Sequence, residues 1–379
     1  MIQMNIMKYM EIIVFSTYGY SLNTWNDSGT LKRELALYKK MNEDFGTKFT
    51  FVTYGDSRDL NFNIQIKDSK IIPVYSLIKY EKNRIKRYLY SFKIPFKIRH
   101  LIKNGDILHQ HQLLGSWVPI ICKVIMKKKL FVRTGYDMHE FAKHEKKGFF
   151  VKLLYKFLTK ISLLVSDIYT VTSQSDKKNL KLNKKIKLRP NWVYETELYD
   201  FTNRHENRLL SVGRLEDQKN YEYFIKEFRN TKNKLIIDIY GSGKNIDKLK
   251  KTAEEHNVEL NIYENLPHDD LTKIYQNYKF FITPSLYEGN PKTVLEAMSS
   301  GCIVLASNIE NHSEIIENKH NGYLFNLGKN SLLNLFLEIK KYDKKLNTIS
   351  KNAFNDIAKN NSLELLVSKT HKDYLSITK

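Results

Sequence analysis

Residues 283–307 read T-P-S-L-Y-E-G-N-P-K-T-V-L-E-A-M-S-S-G-C-I-V-L-A-S. Glu288 and Glu296 stand eight positions apart in this stretch. The first precedes Gly289-Asn290-Pro291. The second lies in a short helical pattern that stops at Gly301 and runs into an apolar strand over 302–306. Pro291 suits the first helical turn, where its missing N–H is not needed. Gly289 lets the backbone come close to a ligand. Free amides there, with the positive end of the helix dipole, make a site for an anion such as a diphosphate. One carboxylate is then beside an anion site. The other lies about a turn and a half further along the helix, placed for a neutral polyol. A sugar nucleotide offers sugar, diphosphate and ribose in a row.

Outward from this stretch, strands and helices alternate. In the second half the spacing predicts strands over 209–212, 235–240, 259–263 and 280–283, with helices over 221–228, 246–256 and 269–278 between them. In the first half it predicts strands over 11–16, 48–54, 130–133 and 168–172, one more ending at 107–109, and a helix over 29–41. Such alternation implies parallel sheets and crossover connections. Arg189-Pro190-Asn191-Trp192-Val193 and a polar stretch over 199–207 place a boundary near 190–207. The expected domains are 1–195 and 196–360, followed by a helix within 361–379 that can cross back to the first domain. At 379 residues the chain is comfortable for two cores. Two open α/β domains imply a ligand cleft at the carboxyl ends of the strands.

Composition narrows the class. Hydrophobic content is 42%, which is globular and not disordered. Cys122 and Cys302 are far apart and have no metal-ligand spacing, so a reducing compartment is expected. The first 11 residues show neither a signal peptide nor a membrane-spanning run. The expected location is the cytoplasm, at the inner face of a membrane. Residues 1–200 hold 36 Lys and Arg against 18 Asp and Glu; with 62 and 41 in the whole chain, residues 201–379 hold 26 and 23. The basic excess therefore belongs to the first half, which suggests an anionic surface or substrate there. Lys152, Lys156 and Lys160 would form one stripe of a helix, with its apolar side on the sheet and its lysines in water.

Other motifs gather around the same chemistry. Val212-Gly213-Arg214-Leu215, then Lys219-Asn220, puts two cations on a loop after a strand. Arg can hold phosphate oxygens bidentately and Lys acts as a mobile point charge. Tyr240-Gly241-Ser242-Gly243 is a tight strand-to-helix turn, but Asn245 and Ile246 break any dinucleotide fingerprint. Asp106-Ile107-Leu108-His109-Gln110-His111 closes a strand with two histidines; a structural pair and a catalytic pair are equally compatible with it. A third metal ligand is not evident beside them. Asp137 and His139 follow the next strand and can face the same cleft. Glu314 and Asn321-Gly322-Tyr323 read as a turn into a strand. No D-x-D motif occurs.

Together these segments resemble the retaining GT-B glycosyltransferases, specifically glycosyltransferase family 4, with its E-x7-E signature. The likeness is strongest over 208–326 and looser over 1–190. It implies an α/β fold of GT-B type, with two Rossmann-like parallel-sheet domains facing a central cleft. The first domain would bind the acceptor and the second the donor. Arg214 and Lys219, with Gly213, would hold the donor diphosphate in place of a metal, so no metal cofactor is expected. Glu288 would bind the donor sugar, Asn290 and Pro291 would line its pocket through their backbones, and Glu296 would bind the ribose. Gly19, Gly241, Gly289 and Leu266 would complete the donor site. His111, with His109 as the alternate, would sit near the reacting sugar. The catalytic set implied is His111, Glu288, Arg214 and Lys219. The donor would be a nucleotide-diphosphate sugar, and the acceptor a saccharide or lipid-linked molecule in polysaccharide or lipopolysaccharide assembly. An anionic membrane surface is an expected partner and nucleic acid is not. Two rivals are a sugar-nucleotide epimerase of the same fold and a non-catalytic basic binding protein.

Overall fold

The computed structural model describes residues 9–180, 185–229, 231, 235–341 and 343–378. The start of the chain, read above as free of a signal peptide, lies outside the described residues through position 8. Two compact units form. The first comprises the described residues of Met1–Thr172, Asp176–Arg189 and Leu366–Lys379, the second those of Ser173–Ser175 and Pro190–Leu365.

The first unit is built on seven parallel strands in the order β3-β2-β1-β4-β5-β6-β7. They are β1 Glu11–Phe15, β2 Lys48–Thr53, β3 Lys70–Pro73, β4 Ile107–Gln110, β5 Lys129–Arg133, β6 Ile168–Val171 and β7 Ile186–Leu188. Ile12, Ile13 and Val14 of β1 are fully buried, as a strand covered by helices on both faces requires. The sequence reading misses β3 and β7. Both are edge strands; β3 ends on Pro73, which cannot donate to a ladder, and β7 has three residues.

The second unit holds six parallel strands in the order β10-β9-β8-β11-β12-β13. They are β8 His205–Val212, β9 Ile236–Tyr240, β10 Glu259–Tyr263, β11 Tyr278–Thr283, β12 Ile303–Ser307 and β13 Tyr323–Phe325. Every residue of β11 and β12 is buried. Each sheet reverses its strand order once, between β1 and β4 and between β8 and β11. Ligands of open α/β sheets bind outside the carboxyl ends of strands at such switch points. The loops after β1, β4, β8 and β11 are therefore where function is expected.

The last helix, Leu363–Thr378, completes the first unit from Leu366 onward. Tyr374 is fully buried and its hydroxyl hydrogen-bonds His109 Nδ1. Arg189 donates from Nε and Nη2 to the two oxygens of Asp373, both at 2.7 Å. The His371 ring stacks on Phe45 with centroids 3.9 Å apart.

The helix Phe149–Val165 corrects an expectation. Its inward side carries Leu158, Thr159, Ser162 and Leu163, and Ser162 Oγ lies 2.9 Å from Ser116 Oγ. Much of its apolar surface faces water instead of the sheet: Phe150 is 82% exposed and Phe157 61%. Periodicity shows that a helix has an apolar stripe; it does not show which of two stripes is covered. Among the described residues no helix is long and apolar enough to cross a membrane.

Candidate active site

The loop leaving β8 continues the ladder of its sheet. Gly213 N–H donates to the Tyr240 carbonyl at 3.0 Å, and Leu215 N–H to the Ser242 carbonyl at 2.9 Å. This brings the loops after β8 and β9 together. A Cβ on Gly241 would stand 2.0 Å from the Gly213 carbonyl oxygen. Only glycine permits that approach. Gly241 thus shapes the loop that carries Arg214.

A short turn, Asp217–Lys219, and the Asn220 that follows it then aim three side chains, Gln218, Lys219 and Asn220, at the segment after β11. Lys219 Nζ donates to Glu288 Oε1 at 2.6 Å. Gln218 Nε2 donates to the Tyr287 carbonyl at 2.8 Å and to Glu288 Oε2 at 3.3 Å. Asn220 Nδ2 donates to the Pro284 carbonyl at 3.2 Å, and Leu286 N–H to the Gln218 carbonyl at 2.9 Å. The two loops at the switch point are stitched into one surface. Glu288 is 9% exposed. Burial pushes its carboxyl up, but the Lys219 charge and hydrogen bond, with His312 and Ser285, prevail and hold it below the usual carboxylate range.

The sequence reading assigns Lys219 to phosphate and Glu288 to sugar; the structure joins them in an ion pair. An ammonium has three N–H donors, and Glu288 takes one of them. Lys219 can thus touch Glu288 and a diphosphate oxygen at once. Arg214 stands apart: its side chain is 66% exposed, with Gln218 Oε1 at 3.4 Å and Glu216 Oε1 at 4.0 Å. Its guanidinium is open to an anion.

The helix Lys292–Ser299 follows, with Pro291 as its N-cap residue. Val294, Leu295, Ala297 and Met298 bury its apolar face. Gly301, at φ +74°, ends it. Cys302 N–H donates to Ala297 and Gly301 N–H to Met298, the paired bonds of a Schellman motif. Among the described residues nothing accepts from the N–H groups of Gly289 and Asn290. Asn290 is otherwise committed, since its Oδ1 accepts from Asn191 N–H at 2.8 Å and its carbonyl from Asn191 Nδ2 at 2.6 Å. Pro291 has no N–H, and its carbonyl accepts from Val294 and Leu295. Only its ring is left to face a ligand.

Glu296 is 7% exposed. Tyr275 OH donates to its Oε2 at 3.3 Å, and His268 Nε2 lies 3.7 Å from Oε1. Burial, with the Glu296 charge next, raises the Tyr275 hydroxyl pKa and keeps it a donor. Leu266 is exposed in the loop just before the helix His268–Asn277. Sequence reading misses Gln218, Tyr275 and His268. The signal for the last two is their separation of seven residues on one helix, which puts them on one face.

In the first unit, Gly19 follows β1 at φ +84°, with no atom within 4 Å of a would-be Cβ. Conformation, not crowding, favours glycine there. His111 sits at the end of β4, where Nδ1 lies 3.0 Å from Tyr38 OH and Nε2 lies 3.1 Å from Glu34 Oε2. Both ring nitrogens have protein partners, so a substrate proton would have to compete with Glu34. His109 is fully buried, and burial, then the His111 and Arg133 charges, drives its pKa well below the ordinary value. Asp137 caps the helix Met138–His144, accepting from His139 N–H at 2.8 Å. His139 Nδ1 lies 3.0 Å from the Lys152 carbonyl. These two serve local structure.

Residues 200–356 match the family model described as Glycosyl transferases group 1. A relative from Escherichia coli, UDP-Gal:alpha-D-GlcNAc-diphosphoundecaprenol alpha-1,3-galactosyltransferase, is 27% identical over 82% of this chain and 80% of its own. Two solved structures share the fold. Anabaena HepE in complex with UDP has a TM-score of 0.75 at 12% identity, covering 97% of this chain and 100% of its own. Sucrose-phosphate synthase from Thermosynechococcus elongatus has a TM-score of 0.77 at 14% identity, covering 97% and 99%. The fold is GT-B, and the chain is a glycosyltransferase.

Proposed function

We propose that this chain moves a sugar from a nucleotide-diphosphate sugar to a saccharide or lipid-linked acceptor in cell-surface glycan assembly, with retention and without a metal ion. The buried Lys219–Glu288 pair beside the exposed Arg214, at a switch point, carries the reading. A leaving diphosphate gains negative charge as the glycosidic bond breaks. Arg214, the remaining N–H donors of Lys219 and the amides of Gly289 and Asn290 are fixed donors for that charge, the arrangement that contributes most to catalysis of this kind. Glu288, kept ionised by Lys219, accepts sugar hydroxyls. Glu296 accepts ribose hydroxyls. The first unit supplies the acceptor site, with His111 at its switch point. The E. coli relative's name pairs a UDP-sugar with a diphosphoundecaprenol, so uridine donors and a lipid-linked acceptor at an anionic membrane surface are the first to test.

The test is a thermal-shift panel of UDP-, GDP- and ADP-sugars, followed by transfer assays. A ligand that binds only the folded state raises its melting temperature. No shift and no hydrolysis with any sugar nucleotide would contradict the assignment; interconversion of the donor without transfer would favour an epimerase. Activity is expected to survive EDTA, because Arg214 and Lys219 supply the positive charge. Complete loss that manganese restores would refute the metal-free arrangement.

The two glutamates separate the donor's halves. Glu296→Gln is expected to weaken binding of free UDP about tenfold, the loss of one charged acceptor of roughly 1.5 kcal/mol. Glu288→Gln is expected to leave UDP affinity within a few-fold and to lower kcat. Calorimetric titration with UDP distinguishes them, and the opposite pattern would reverse the roles.

A further inference from the structure

We propose that the outer face of the helix Phe149–Val165 is a membrane-insertion surface, whose apolar side chains enter the acyl boundary of an anionic bilayer. Phe149, Phe150, Leu153, Leu154, Phe157 and Leu164 are all exposed, between 44% and 82%. Phe150, Leu153, Leu154, Phe157 and Leu164 follow the i, i+3, i+4, i+7, i+14 spacing of a single stripe. The helix thus has two apolar stripes, one on the first unit's core and one without cover. Six large exposed apolar side chains on one helix far exceed the scattered singles of an ordinary surface.

The charges around this helix select the occupant. Lys152, Lys156 and Lys160 run along the edge of this stripe, and Lys143, Lys146 and Lys147 precede the helix. Carboxylates at 140 and 145 balance only part of this. A second copy packed face to face would bring the same lysines together, and like charges oppose that association. Anionic lipid answers both features: headgroups for the ammonium groups and acyl chains for the rings. An apolar face with a basic flank is the physical mark of a helix that lies in a membrane interface. The neighbouring helix Trp117–Met126 packs against it and also exposes an apolar side chain, Val124, at 69%. Insertion goes beyond the anionic membrane surface proposed above for the acceptor and rests on that reading only for its biological setting.

Cys122 and Cys302 are both buried, so an added surface cysteine can be labelled selectively. Phe150→Cys in the full chain, carrying an environment-sensitive fluorophore, is mixed with vesicles of phosphatidylcholine alone or with phosphatidylglycerol. The expected result is a blue shift and severalfold brightening on phosphatidylglycerol vesicles, with quenching by spin-labelled acyl chains. Leu153→Gln with Phe157→Gln is expected to weaken vesicle partitioning at least tenfold while UDP-sugar hydrolysis is unchanged. Lys152→Gln, Lys156→Gln and Lys160→Gln together should remove the preference for anionic vesicles. A label that stays water-exposed on bound protein, or partitioning unaffected by the Gln pair, overturns insertion. A blue shift without vesicles, together with a dimer in sedimentation, overturns it in favour of a second copy. Hydrolysis of the donor is read separately in every arm, so failure of the surface and failure of the transferase reading are distinct.

Discussion

Lys219→Ala is expected to cut turnover about a hundredfold and loosen the second unit at the same time. Lys219 and Glu288 are paired at 2.6 Å, with side-chain exposures of 13% and 8%. Removing the ammonium leaves a buried carboxylate unpaired, which costs about 3–5 kcal/mol of stability. It also removes a fixed donor for the departing diphosphate, worth about 3 kcal/mol and on the order of a hundredfold in rate. The two effects can be separated. Lys219→Met combined with Glu288→Gln leaves no buried charge, so melting temperature is expected to recover while turnover stays low. Arg214→Ala, on an exposed side chain, should lose turnover at an unchanged melting temperature. Near-normal kcat in both Lys219→Ala and Arg214→Ala would remove the donor site from these residues.

Gly241→Ala is expected to have the next largest effect. The added Cβ would meet the Gly213 carbonyl oxygen at 2.0 Å. Backbone must move, because the obstructing atom is not the end of a flexible side chain. Overpacking of this kind costs about 3 kcal/mol. The loops after β8 and β9 would part, weakening the Leu215–Ser242 bond and displacing Arg214. Both melting temperature and UDP affinity should therefore fall. Gly19→Ala is the comparison: nothing crowds its Cβ, so only the left-handed backbone is penalised, by about 1–2 kcal/mol. UDP affinity unchanged in Gly241→Ala would show that the loop tolerates the shift.

The class of the fold was legible because central strands are buried on both faces and carry apolar runs, Phe280–Ile282 in β11 and Ile303–Ala306 in β12. The edges were not, because β3 and β7 are short and half-covered, so their residues carry no strong period. The donor-side motifs were legible because charged residues and glycine stand at fixed offsets from strand ends. Their pairing was not. Nothing in the spacing of Lys219 and Glu288, 69 residues apart, says that they meet. Gln218 could be suspected only as the neighbour of Lys219. Asn191 looks like linker in the sequence, yet it holds Asn290 through two hydrogen bonds. Side chains that position others leave little trace in a single chain, because their partners lie far away in sequence.

The return of the last helix to the first unit sets an order for assembly on the ribosome. The second unit is nearly contiguous, from Pro190 to Leu365, and all of it is made before Leu366. The first unit lacks Tyr374 against His109, and Asp373 against Arg189, until the final helix emerges. Domains commonly mature in the order of synthesis. Here the order is inverted: the half made first is the half finished last, and its core waits with an unfilled place for a segment made after the whole of the other half.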